Sequence, residues 1–215
     1  MSLDVALVIS LETNEKDIEF EDSLWKAADK LRKKVEVHEY KYIVLGLIFL
    51  RYLSFAFEKT RANLEREFSD ASSEKFIGSE EFRKQALEDK DYYLALGVLY
   101  VPEKTRWTYL ARNASQPQIG ELLDQAVEAL EREYPRQLKD VVPKIYTTIN
   151  LDSFDYAYLI DVFSKIEFGE DHKDKDIFGR VYEYFLGKFA EAEGKKGASS
   201  TPPGRSPNLS LKSWM

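Results

Sequence analysis

The chain has 215 residues, 44% of them hydrophobic, and 13 Tyr, 13 Phe and 3 Trp supply bulk for a real core in one domain or two small ones. With no cysteine there is no disulfide scaffold and no thiolate metal site, and the two histidines, His38 and His172, are too few and too far apart for a His-rich one. The net charge is −7; residues 195–215 hold four basic and no acidic side chains, which leaves −11 on the rest, a poor nucleic-acid binder by itself because phosphate contacts need local positive charge.

Residues 1–20 are weakly patterned and read as an N-terminal arm. Val5–Ile9 is apolar but follows no basic residue and is too short for a secretory signal, so a cytoplasmic protein is expected. Glu21, Asp22 and Ser23 precede apolar positions at Leu24, Ala27, Ala28 and Leu31, which predicts an amphipathic helix with Ser23 as its cap. The basic residues Lys30, Arg32, Lys33 and Lys34 close it. They suit the negative pole of the helix dipole, and they are also the candidate contacts to DNA phosphate.

The stretch from Glu39 to Arg61 organises the chain. Its middle, Tyr42 to Leu50, has no charge, yet it is far short of the ~20 residues a membrane span needs, and Lys41 and Arg51 bound it. Apolar nearly all round, it predicts a central helix that other helices must surround, continuing to about Phe68 after a turn near Val35–His38.

Ser69–Ser73 reads as a loop, and Ser79 opens a charged helix to about Lys90. Tyr92–Pro102 is apolar, with an extended piece expected near Val98–Val101. Thr105–Leu110 suits one or two helical turns, Gln116–Gly120 a break, and Glu121–Tyr134 an amphipathic helix stopped by Pro135. Leu138–Ile145 is short and interrupted by Pro143. Ser153–Ile166 predicts another helix, Gly169–Lys175 a charged loop, and Asp176 the cap of a last helix over Ile177–Glu191. Residues 195–215 are rich in Ser, Pro and Gly without periodicity and read as a disordered tail. The expected fold is mainly α: a helical bundle around a central apolar helix.

Three stretches in order resemble the helical N-terminal domain of the modification (methyltransferase) subunit of type I restriction–modification systems. The first joins Leu24–Arg32 to Tyr40–Ser54, the second holds Val101-Pro102-Glu103, Arg106-Trp107 and Ile119-Gly120, and the third is Asp176–Leu186 with Phe189-Ala190. The resemblance covers roughly residues 21–197, with the domain set at 21–194. It implies an adenine-specific DNA methyltransferase that uses S-adenosylmethionine and works with a specificity subunit and, through it, double-stranded DNA and a restriction subunit. The implied role of this domain is to embrace DNA and contact subunits.

The catalytic core of that family is absent from the sequence, which has no Asn-Pro-Pro motif and has its late Thr-Pro, Thr201-Pro202, in another context. The tail can be encoded so that reading one base earlier gives Gly-Glu-Phe-Tyr-Thr-Pro-Arg and then a helical pattern, the family's continuation. The expectation is a frameshift near Gly197, with Lys195-Lys196-Gly197 as the linker and 195–215 out of frame. No catalytic, cofactor-binding or metal-ligating residue is assigned, and no membrane contact is expected.

Other candidates have bland readings. Glu80-Glu81 and Asp152/Asp155 are read as solvated faces rather than acid–base pairs. His38 is read as a partly exposed loop residue. Tyr182, Tyr184, Phe185 and Phe189 could form a base-stacking platform, but at helical spacing they are read as core, as are Trp25 and Trp107. The alternative to a methyltransferase domain is a stand-alone helical protein that binds the specificity subunit; an in-frame methyltransferase core downstream in the gene separates the two.

Overall fold

The computed structural model describes residues 21–30, 34–168 and 174–197. The expectations for the arm at 1–20, for Arg32, Lys33 and His172, and for the tail from residue 198 onward lie outside the described residues. Those residues form eight α-helices and one 3₁₀ turn, with no strand among them.

Helix α1 covers residues 21–29. It does not begin after Ser23 as the sequence suggested. Glu21 is already helical and buried, because its carboxylate accepts a hydrogen bond from Arg180 Nε at 2.7 Å. Helix α2, Val37–Ser69, has 33 residues, about 50 Å of helix. Its buried side chains run from Tyr40 through Val44, Ile48 and Phe57 to Phe68, so the central rod is enclosed as its composition requires. Among the described residues the one helix long and apolar enough to cross a membrane, His38–Ser69, is therefore mostly inside the fold. His38 sits exposed in the first turn of α2 rather than in the preceding turn.

Two groups of elements cover the two halves of the rod. Over the N-terminal half lie α1 and α8, Asp174–Gly197. Trp25 packs edge-on against Phe185 and Phe189 at 5.7 and 5.1 Å, Tyr40 meets Phe189 at 6.0 Å, and Lys41 pairs with Glu193 at 2.8 Å. Over the C-terminal half lie α3, Glu80–Ala86, and α4, Lys90–Ala95. Phe57 packs on Tyr93 and Tyr100, and Phe68 on Tyr92. Between them sit the 3₁₀ turn Glu103–Thr105, α5 (Trp107–Arg112), α6 (Ile119–Glu133) and α7 (Ser153–Ser164).

Several boundaries differ from the sequence pattern. The charged helix from Ser79 stops at Ala86, because Asp89 caps a new helix by accepting the Asp91 N–H at 3.0 Å. The apolar run that suggested an extended piece is helical as far as Ala95. It ends where Gly97, at φ 71°, adopts the left-handed conformation that closes a helix, and Val98–Val101 pairs with no strand. Ile119 and Gly120 belong to the first turn of α6, not to a break. Ile119 is buried there, and a Cβ at position 120 would stand 2.9 Å from the Tyr146 carbonyl oxygen. Leu138–Ile145, short and interrupted by Pro143 in the sequence, begins in a turn and has no regular structure from Pro143 to Ile145. Asp176 lies inside α8, which starts at Asp174 and runs through Gly197, past the expected end at Glu191 and three residues into the expected tail.

Candidate functional site

The two described members of the basic cluster, Lys30 and Lys34, come to rest over α7. Asp152 and Asp155 form a reciprocal capping box: the Asp155 N–H donates to the Asp152 carboxylate at 3.0 Å and the Asp152 N–H to the Asp155 carboxylate at 3.2 Å. Asp155 is buried, and Lys34, half exposed, donates to it at 2.6 Å. That hydrogen bond outweighs the opposing effect of burial and holds the Lys34 ammonium above its ordinary pKa. Lys30 stays exposed with its ammonium 5.7 Å from the centre of the Tyr158 ring. Asp155 is thus a partnered interior carboxylate, which corrects its reading as a solvated face. Glu80 does match that reading: it is exposed and pairs with Lys84 one turn on.

The aromatic set divides. Tyr182, Phe185 and Phe189 are buried core, with Phe163 against Phe185 at 6.0 Å, so they offer no open stacking face. Tyr184 is half-buried and its hydroxyl donates to Asp22. Burial, and then that hydrogen bond, raise its pKa. Trp25 and Trp107 are anchors, as their size suggested. Trp107 donates its indole N–H to Ser164 at 2.8 Å.

A polar knot at the C-terminal half of α2 escaped the sequence reading. Glu88 bridges Arg61 and Arg106, each at 2.7 Å, and accepts the Tyr100 hydroxyl at 2.7 Å. Burial pushes the Glu88 carboxyl up, but the hydrogen bonds from Arg106 and Tyr100 and the two guanidinium charges leave it below the usual value. Tyr100 is pushed up to about 12, first by burial and then by its bond to Glu88. The knot fastens the segment between α3 and α4 to α2 and α5. Its only advance sign was Arg106, within the second stretch of the resemblance. Arg51 also escaped notice: it sits among Phe55, Trp107 and Phe168 with their ring centres 5.6 to 6.0 Å from its guanidinium.

Among the described residues no three His, Asp or Glu side chains gather where a metal ion could be held. The apolar crevice between α2 and α6, lined by Phe49, Leu50, Val127, Leu130 and Leu138, has Glu131 as its one charged group. That carboxylate is already bound to Lys144 and to the Asp140 N–H. Nothing in the crevice matches a charged methyl donor that carries an amino acid and a nucleoside. The crevice is a packing seam between α2, α6 and the segment around Leu138.

The described residues form an all-helical domain built around one long buried helix. It is similar to the crystal structure of the type I restriction-modification system methyltransferase subunit from Streptococcus thermophilus, with a TM-score of 0.52 at 22% identity, over 81% of this chain and 39% of that one. Residues 20–181 match the family model described as HsdM N-terminal domain, and residues 173–206 match a fragment of the N-6 DNA Methylase model. This chain therefore belongs to the HsdM N-terminal domain family, the N-terminal domain of type I restriction–modification methyltransferase subunits. The MjaIX methylase subunit of a type I restriction enzyme from Methanocaldococcus jannaschii is 57% identical over 185 residues, which is 86% of this chain and 33% of that protein. The HindI methylase subunit from Haemophilus influenzae is 35% identical over 94 residues, 40% of this chain and 20% of the other. The chain thus spans about a third of the length of the first of these relatives.

Proposed function

We propose that this chain is the DNA-clamping and subunit-contacting domain of a cytoplasmic type I restriction–modification adenine methyltransferase, without the S-adenosylmethionine-binding core. The observation that carries the reading is the family match over residues 20–181, which takes in α1 to α7 entire. Its partners are the specificity subunit and, through it, double-stranded DNA and the restriction subunit. S-adenosylmethionine belongs to the catalytic module of such enzymes, of which this chain matches only a fragment, over residues 173–206. Lys30, Arg32, Lys33 and Lys34 contribute to the DNA face. For Lys30 the support is its exposure, and for Lys34 it is the half of its side chain that Asp155 leaves in solvent.

The test is co-purification of the chain with a specificity subunit, followed by DNA binding across a salt series. We expect a stable complex that binds duplex DNA, and only weak, salt-sensitive binding by the chain alone. Failure to associate with the specificity subunit would overturn the subunit-contacting role.

A second reading, a stand-alone interaction protein for the specificity subunit, draws on the exposed apolar side chains Phe76, Phe82, Tyr92, Leu94 and Leu96 around α3 and α4. A methyltransferase core encoded in frame after this chain would decide for the first reading.

A further inference from the structure

The cations on α2 are not alike. Lys41 pairs with Glu193 and Arg61 with Glu88, whereas Arg51 has no ion pair among the described residues. Its guanidinium is walled by the rings of Phe55, Trp107 and Phe168, with centres at 5.9, 6.0 and 5.6 Å. Its Nε is buried and without a hydrogen-bond partner, and one terminal nitrogen donates to the Ile166 carbonyl at the long distance of 3.4 Å. The nearest influence of opposite charge is Glu58, which acts from beyond ion-pair range and is already engaged by the Ser54 and Thr108 hydroxyls at 3.2 and 3.1 Å. The residue as a whole is only partly buried.

We propose that Arg51, with Phe55, Trp107 and Phe168 as its walls, forms an oxyanion site that takes a backbone phosphate of nucleic acid. A cation held partly out of water and lacking a counter-ion gains when an anion arrives, because its desolvation has been met in advance. Arginine suits such a place: its guanidinium is weakly hydrated, stacks on aromatic faces, and presents a planar fork that matches phosphate. Burial already lowers the guanidinium pKa, with Glu58 working the other way, which is the sign of a charge short of compensation. The naming of nucleic acid as the source rests on the DNA-clamping reading above. The oxyanion site rests on the geometry alone.

Two arms test it on the full chain. In the first, inorganic phosphate is titrated into the unsubstituted protein and the Arg51 Nε–H resonance, assigned by its loss in Arg51→Met, is followed. A saturable shift is expected, and no shift would overturn the site. In the second, the chain, alone and with the specificity subunit, is titrated with a labelled short DNA duplex over a salt series. Arg51→Met is expected to weaken binding five- to tenfold at low salt and to lower the slope of log affinity against log salt by about one. Lys84→Met removes the same charge from an exposed pair on α3 and is expected to leave the slope alone. Equal duplex binding by the unsubstituted chain and Arg51→Met would overturn the phosphate contact and leave the DNA reading intact. A phosphate shift without any duplex binding, even with the specificity subunit, would overturn the DNA reading and leave the oxyanion site standing. If Arg51→Met fails to fold, Arg51→Lys, which keeps the positive charge and likewise lacks the Nε–H, supplies the assignment for the phosphate arm.

Discussion

Tyr146 shows how single residues hold this fold close to its packing limit. Its ring lies in the core, its hydroxyl is buried without a hydrogen-bond partner, and burial drives its pKa well above the usual tyrosine value. The hydroxyl sits against the backbone of α2 at Gly46, where an added Cβ would overlap it and would also stand 2.9 Å from Val142 Cγ1. Gly46 is therefore the residue that lets the 138–146 segment approach the rod. Gly46→Ala is expected to cost about 1–3 kcal/mol through overpacking. Tyr146→Phe removes an unsatisfied hydroxyl and is expected to be neutral or stabilising by about 1 kcal/mol. In the Tyr146→Phe background the penalty of Gly46→Ala should shrink, with a coupling of at least about 0.5 kcal/mol. Urea unfolding of the four proteins measures this, and strict additivity would show that the hydroxyl is not what occupies the space. In the sequence Gly46 was one apolar position in a greasy run, and nothing in that run named its neighbour a hundred residues away.

Helix ends in this domain are often finished by other helices. Trp107 opens α5, and Arg106 before it makes no side-chain cap. The cap comes instead from α2: the Ser54 hydroxyl, fully buried, accepts the Trp107 N–H at 2.6 Å and donates to Glu58 at 3.2 Å. Ser54→Ala would leave an interior N–H without an acceptor, and we expect a loss of about 1–3 kcal/mol in urea unfolding. A loss close to zero would show that water or a shifted helix takes over the bond. The Asp155 carboxylate of the α7 capping box is also engaged from outside the helix, by Lys34 in the turn before α2. Local signals did fix some boundaries. Ser79 caps α3 by accepting the Phe82 N–H, and α6 stops just before Pro135. Where an apolar run was open to more than one reading, as at Tyr92–Val101, the outcome hung on Asp89 before it and Gly97 within it. The pattern within the run could not choose.

At the scale of the whole molecule, the rod divides its surroundings. Aromatic packing from α1 and α8 covers one half, and the Glu88 knot with α3 and α4 covers the other. No element brings together a nucleophile, a base and a donor pocket among the described residues. We therefore expect calorimetry with S-adenosylmethionine to show no saturable heat at micromolar concentration. Micromolar binding would overturn the proposal that the donor-binding core lies outside this chain.

The sequence by itself determined the helical class, the central place of α2 and the family. A charge-free run flanked by Lys41 and Arg51 has to be enclosed, and amphipathic segments on either side of it are the means. Only the tertiary structure decided which charges are used up inside the fold. Lys34 and Asp155 stand 121 residues apart, and Glu21 and Arg180 stand 159 apart. Pairing at that separation follows from how the helices stack around the rod, and no local pattern encodes it. The same stacking leaves Arg51 between three rings and, among the described residues, without an ion pair, which is why one arginine among many becomes a candidate site only once the fold is known.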